Sequence, residues 1–451
     1  MQDKSLTALS AELRAMRPTR AVGRIARAGA GLVHVTGLSD AAALGDRVEI
    51  DAGDGRTGGE IVELHAGGAV ILPEGGGEGV RIGGAVLHLG PARIAPHAGW
   101  IGRIVDAAGH PLDGKPLAPG VEPRPLRAAP PPATQRRRLG QRLATGLNVF
   151  DTMLPLVRGQ RLGVFAGSGV GKSRLMAALS RGVDADLCVV ALVGERGREV
   201  RDFIDDVLGP EGLKRAIVVV ATSDQPPIVR RRAMWTAMAT AEFFRDEGAH
   251  VLLLADSVTR FAEAHREVAV ASGESAAWRG FPASTAHTMM ALAERAGPGT
   301  VASGGDITAV FTVLVAGADM EEPVADTLRG VLDGHVVLDR AIAERGRYPA
   351  VDVLRSVSRA LPGCASPSEN STIALARRRL GAWDSAELMV QSGLYTAGSD
   401  PEIDAAVSSF PALDAFFSGA SAKGPDAAFA ELASCLDAGA ARQRRGDRKA
   451  S

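Results

Sequence analysis

Aromatic side chains are scarce in this chain of 451 residues, at 4%, and the first 99 positions hold no Phe, Tyr or Trp. A region without rings offers no platform on which successive bases of a single strand could stack, so a single-stranded nucleic-acid reader at this end is excluded. Cysteine is scarcer still. Cys188, Cys364 and Cys435 lie far apart, lack metal-ligand spacing and cannot all pair, so the expectation is reduced thiols in a cytosolic protein. No apolar run approaches the roughly 18 residues of a membrane-spanning helix. The opening MQDKSLTALSAEL carries Asp3 and Glu12 where a signal peptide needs an unbroken apolar core, which leads us to expect a cytoplasmic protein. One-sided charge is missing as well: 51 Lys and Arg face 52 Asp and Glu, a formal net charge of -1, so no global attraction draws nucleic acid or anionic lipid.

What is present reads as a globular protein of several parts. Hydrophobic residues make up 46% and charged residues 23%, and the length suggests two to four domains of roughly 100 to 200 residues. Leu6, Leu9, Leu13 and Met16 recur at helical spacing, which predicts a short amphipathic helix within residues 1–18. It either docks on a partner or packs on its own domain. Over residues 19–95 brief apolar alternations such as VGRIARA, GLVHV and RVEI are broken by Gly clusters and Asp-Gly, the pattern of a small β-barrel. Residues 116–142, with PRPLRAAPPPATQRRRLGQR, are too rich in Pro and Arg for helix or ladder and are expected to be a linker.

From about 96 to 365 apolar runs of strand length alternate with helical patterns: RLGVFA, LCVVALV, AIVVV, VLLLAD and ITAVFTVLV. Continuous apolar strands alternating with helices predict a parallel sheet covered on both faces, an α/β nucleotide-binding core. Residues 366–451 turn helical, with a frayed tail expected at ARQRRGDRKAS.

Three segments carry chemistry. After the strand RLGVFA, Ala166, Gly167, Ser168, Gly169, Val170, Gly171, Lys172 and Ser173 fill the phosphate-loop frame G-x-x-x-x-G-K-[ST], with Ala in first place. Glycines let the backbone turn its N–H groups toward phosphate oxygens ahead of a helix N-terminus. Lys172 then supplies a point charge for the β- and γ-phosphates, and Ser173 a hydroxyl for Mg²⁺. The strand HVLLLAD ends in Asp256; such an Asp alone is usually a helix cap, but paired with the phosphate loop it reads as a holder of Mg²⁺ through water or the Ser173 hydroxyl. Glu195, closing LCVVALVGE at the strand edge where ligands sit in open α/β sheets, is the candidate base that orients the attacking water. Its bland alternative is a surface pair with Arg196 or Arg198.

Residues from about 100 to 435 resemble the flagellar and type III secretion protein-export ATPases, relatives of the catalytic subunit of rotary ATP synthases. The likeness rests on GRIVDAAGHPLDGKPL, AGSGVGKS, GERGREVRDF, ATSDQPP, VLLLADSVTRFAEAHREVA, ERAG, GGDITAVFTVLV, LDGHVVLDR and RYPAVDVLRSVSRAL. It implies a RecA-like P-loop core with an N-terminal β-barrel and a C-terminal helical domain. It also implies ATP with Mg²⁺, a homo-oligomer that is a hexamer, and a cytoplasmic enzyme gathered at an inner-membrane export apparatus. By the same resemblance Tyr348 should stack on adenine, and Arg359 should be an arginine finger reaching a neighbour's γ-phosphate. The first helix should meet a regulatory stalk-like partner, and the remaining partners should be export substrates, chaperones and the membrane export gate, not nucleic acid. The family tolerates Ala at position 166. The segment RGFPASTAHTMMALAERAG departs from the family's usual text, and the first ninety residues match it weakly. A rotary synthase subunit is the nearest rival, but AGSGVGKS and GERGREV favour the export family. An RNA translocase lacks its aromatic platforms here, and a scaffold that no longer hydrolyses ATP would have lost Lys172 or Glu195.

Overall fold

Short alternating strands dominate the start of the chain because every second side chain is apolar. The computed structural model describes residues 19–450 except 54, 303, 316–318 and 422, with side chains to residue 437. The helix expected within residues 1–18 lies outside them. Strands β1 (Val22–Gly29), β2 (Leu32–Thr36), β3 (Asp46–Asp51), β4 (Arg56–His65), β5 (Gly68–Pro73) and β6 (Ala85–Pro91) close into a barrel in the order β1-β2-β5-β4-β3-β6. Ile25, Val33, Val35, Val48, Ile50, Ile61, Ile71 and Val86 fill its interior, and full closure leaves no unpaired strand edge.

The linker is less bare than its composition suggests: β7 (Arg93–Ile94) pairs with β9 (Arg124–Pro125), β8 (Ile104–Val105) lying between them in sequence. Two residues of ladder suffice because Pro125 sits at a strand end, where the missing N–H costs nothing.

The central sheet contains β10 (Arg161–Ala166), β11 (Leu187–Glu195), β12 (Ala216–Thr222), β13 (His250–Asp256), β14 (Gly297–Pro298), β15 (Asp306–Leu314), β16 (Gly334–Leu338) and β17 (Val351–Ser358). Its order is β17-β16-β10-β15-β13-β11-β12-β8, parallel throughout except for β17 on β16 and the short β14 on β15. The unbroken apolar runs are divided strictly by side. In β11, Cys188, Val190 and Leu192 face one core with helix Lys172–Gly182 and the C-terminal helices, while Leu187, Val189, Ala191 and Val193 face another with helices Pro227–Asp246 and Val258–Ala271.

Ion pairs fasten the barrel to this sheet. On helix Pro227–Asp246, Arg231 lies 2.6 Å from Glu60 and Arg232 lies 2.5 Å from Glu74, both acids belonging to the barrel region, and both guanidiniums are buried. Helices Pro367–Gln391, Pro401–Phe417 and Pro425–Ala450 complete the chain. The first begins with a capping box, Ser366 and Glu369 bonding each other's backbone N–H. The last runs through the tail, where fraying was expected; its Ala, Arg, Gln and Lys are good helix formers.

Candidate active site at the C-terminal edge of the sheet

The phosphate loop joins β10 to helix Lys172–Gly182. Gly169 at φ 77 and Gly171 at φ 91 occupy the left-handed region that side chains resist, which curls the backbone into a cradle. Gly167, the other glycine of the motif, needs no such conformation. Ala166 and Val170 are buried in the core and pin the loop at both shoulders. No side chain caps the first turn of the helix, so its N–H groups remain available to an anion.

Lys172 lies at the start of that helix and crosses toward two neighbouring strand ends. Its ammonium forms an ion pair with Asp256, at the end of β13, and stands 3.4 Å from Glu195 Oε1, at the end of β11. Burial alone would lower the lysine pKa, but Asp256 and Glu195 outweigh it and hold the group above its ordinary value. Glu195 is pushed up from the usual carboxylate range, first by burial, then by the neighbouring charge of Asp256 and a hydrogen bond with Glu199, against the opposing pull of Lys172. Arg196 and Arg198 pair instead with Glu199 and Asp202, at 3.4 and 3.7 Å, so the surface-pair alternative for Glu195 is not what forms.

Asp256 is held from behind by Thr312 of β15, whose hydroxyl donates to Oδ1 at 2.6 Å. The lysine contact falls on Oδ1 as well, leaving Oδ2 clear of both. Ser257, not Asp256, caps the following helix, its hydroxyl accepting from Arg260 N–H, so the lone-cap reading of Asp256 does not apply. A cleft of about 220 Å³ opens here, lined by Ser173, Glu195, Glu199 and Asp256, with Val200 and Phe203 as its apolar wall. A hydroxyl beside carboxylates is the hard-oxygen donor set that Mg²⁺ selects, so the residues fit that ion.

Tyr348 lies against the loop: a Cβ built on Gly171 would meet its Cδ1 and Cε1 at 3.0 Å. Arg359 is placed elsewhere. It is exposed just past β17, its N–H donating to Asp333 O at 3.0 Å and Nη2 to Arg329 O at 3.1 Å, and it does not join the group around Lys172. The fold thus gathers Lys172, Ser173, Glu195, Asp256 and Tyr348 in one chain and leaves Arg359 on its surface. Thr312 and Glu199 are not singled out by sequence reasoning. Glu199 lies on the short helix Gly197–Asp202 that follows β11, and its return toward Glu195 depends on the extended turn at Arg196 rather than on a fixed spacing; Thr312 carries no signal either.

Residues 146–358 match the ATP synthase alpha/beta family, nucleotide-binding domain, and residues 365–424 match the type III secretion EscN ATPase C-terminal domain. The flagellum-specific ATP synthase of Caulobacter vibrioides is 45% identical over 421 residues, covering 92% of this chain and 95% of that one. The SPI-2 type 3 secretion system ATPase of Salmonella typhimurium is 44% identical over 79% of this chain and 82% of its own length. Among solved structures, the assembled ATPase EscN of the enteropathogenic E. coli type III secretion system superposes with a TM-score of 0.84 at 34% identity, over 92% of this chain and all of that one. The same ATPase in complex with its central stalk EscO gives 0.82.

Proposed function

The chain belongs to the flagellar and type III protein-export ATPases, and from that premise we propose how its own residues perform the family's reaction. That reaction is ATP hydrolysis used for protein export, and the match of residues 365–424 to the type III ATPase C-terminal domain sets the chain with export enzymes rather than with the synthase subunit. The observation that carries the residue assignment is the convergence of Lys172 on Glu195 and Asp256 beside a phosphate loop.

The triphosphate lies on the N–H groups of residues 167–173, with Lys172 drawn to its β- and γ-oxygens. Glu195 accepts a hydrogen bond from the attacking water and aims it in line with the γ-phosphorus. Its raised proton affinity makes it a better acceptor than an ordinary carboxylate. The Ser173 hydroxyl and Asp256, the latter through water, would hold Mg²⁺, which would supply charge neutralisation at the phosphates. Tyr348 takes the adenine. Arg359, exposed and apart from this group, reaches the γ-phosphate of a neighbouring subunit, so the site is completed by assembly, and a ring of six identical chains is self-sufficient.

The same reading extends to organisation and partners. Residues 19–95, 96–365 and 366–451 form the barrel, the catalytic core and the helical domain. EscN has been solved with its central stalk, and a stalk-like regulator meets this chain as well. Export substrates, their chaperones and the membrane gate complete the set, at the cytoplasmic side of the inner membrane. Among the described residues no helix is long and apolar enough to cross a membrane.

The test is ATPase rate against protein concentration for wild type, Glu195→Gln, Arg359→Ala and an equal mixture of the two variants. Specific activity should rise with concentration, and mixing two inactive variants should restore part of it by pairing an intact Glu195 with an intact Arg359. Flat activity per chain with no restoration would overturn the assignment of Arg359.

A further inference from the structure

The phosphate-loop pattern specifies Lys172 and Ser173 and says nothing about the next position, which here is arginine. Arg174 is exposed on the first turn of the helix and, among the described residues, forms no ion pair. Its guanidinium carbon instead lies over the ring of Tyr348, 5.2 Å from the centroid, within the range of a cation–π contact. Tyr348 is backed on another side by Gly171, so loop, ring and guanidinium form one continuous surface beside the phosphate cradle.

We propose that Arg174 is a base-binding residue: its planar guanidinium forms the outer wall of a purine subsite whose inner wall is Tyr348, with the base held between the two. This rests on the reading that Tyr348 receives the adenine. A base entering between them requires the guanidinium to withdraw by about the thickness of a ring. An exposed arginine that pairs with no carboxylate among the described residues is free to make that movement. Withdrawal forfeits the contact with Tyr348, worth about two- to five-fold in an equilibrium constant at an exposed site. Stacking on the purine face regains it, and the attraction of the cation to the polyphosphate adds to the gain. The net effect of Arg174 is therefore tighter binding, larger for a purine than for a pyrimidine, whose smaller π-face stacks less.

The experiment measures binding of ADP and UDP to the full chain by calorimetry, without turnover, for wild type, Arg174→Ala, Arg174→Lys and Tyr348→Ala. Thermal unfolding checks that each variant remains folded. Arg174→Ala should weaken ADP about two- to five-fold and UDP less, narrowing the preference for ADP. Arg174→Lys keeps the charge without the plane, so it should recover binding common to both nucleotides but not the preference. Equal weakening of ADP and UDP by Arg174→Ala would reduce the residue to a point charge and sink the proposal, and so would tighter ADP binding, which would make it a plug. If Tyr348→Ala narrows the preference while Arg174→Ala does not, the inference alone fails. If Tyr348→Ala also leaves the preference intact, the base does not lie on that ring, and the reading beneath the inference fails with it.

Discussion

Replacing Thr312 by Val removes one hydroxyl and preserves shape, in a strand where Val is at home. The lost contact is the 2.6 Å hydrogen bond to Asp256 Oδ1. Thr312 is fully buried, so no water substitutes for it directly, and a hydrogen bond to a charged acceptor contributes about 1.5–3 kcal/mol. At about 1.4 kcal/mol per decade, this corresponds to roughly 10- to 100-fold, the range seen when groups that orient metal-holding carboxylates are removed. Asp256 would keep Lys172 as a partner and lose the group fixing its rotation. The assay is steady-state ATPase activity titrated with Mg²⁺. Thr312→Val should lower activity about 10- to 100-fold at limiting Mg²⁺ and raise the Mg²⁺ concentration needed for half-maximal rate, while Thr312→Ser, which retains the hydroxyl, should recover most of both. Activity within twofold of wild type at every Mg²⁺ concentration would refute the idea that Asp256 needs this support.

Glu60→Ala leaves the buried guanidinium of Arg231 without its 2.6 Å partner and should cost about 3–5 kcal/mol in chemical denaturation; a loss below about 1 kcal/mol would show that Arg231 relaxes to another partner. The His265 imidazole, lowered to about 4 by burial and by the charges of Arg231 and Arg127 against the weaker pull of Glu274, stays neutral in the folded chain. The unfolded chain binds the extra proton below about pH 6.5, so folding stability should fall as pH drops from about 6.5 toward 4. His265→Asn should flatten that decline by on the order of 1–2 kcal/mol across the window, and an unchanged slope in denaturation from pH 7 to 5 would discount the residue.

The α/β core was legible because buried parallel strands write themselves as unbroken apolar runs, and ITAVFTVLV or VLLLAD can hardly be read otherwise. The same feature hides Thr312. Inside such a run a Thr is simply another β-branched strand former, and only the register of β15 beside β13 reveals that its hydroxyl faces Asp256. Glu195, Lys172 and Asp256 announce themselves through motif and strand-end position. The bond between Arg231 and Glu60 spans 171 residues and has no local signature. In the linker, composition correctly spoke against helix yet could not show Arg136 and Arg137 returning to the carbonyls of Ala296 and Gly305.

The strand order β10-β15-β13-β11 also acts as a ruler. Neighbouring strands lie about 4.8 Å apart, so the gaps between the loop, Asp256 and Glu195 are multiples of a lattice constant rather than the outcome of separate adjustments. A residue gained or lost within β11 or β13 would turn each following side chain to the opposite layer and shift its carboxylate along the strand by about 3.3 Å. Length changes in this lineage should therefore accumulate in the turns at the opposite edge of the sheet, where they leave the spacing of the reacting groups untouched.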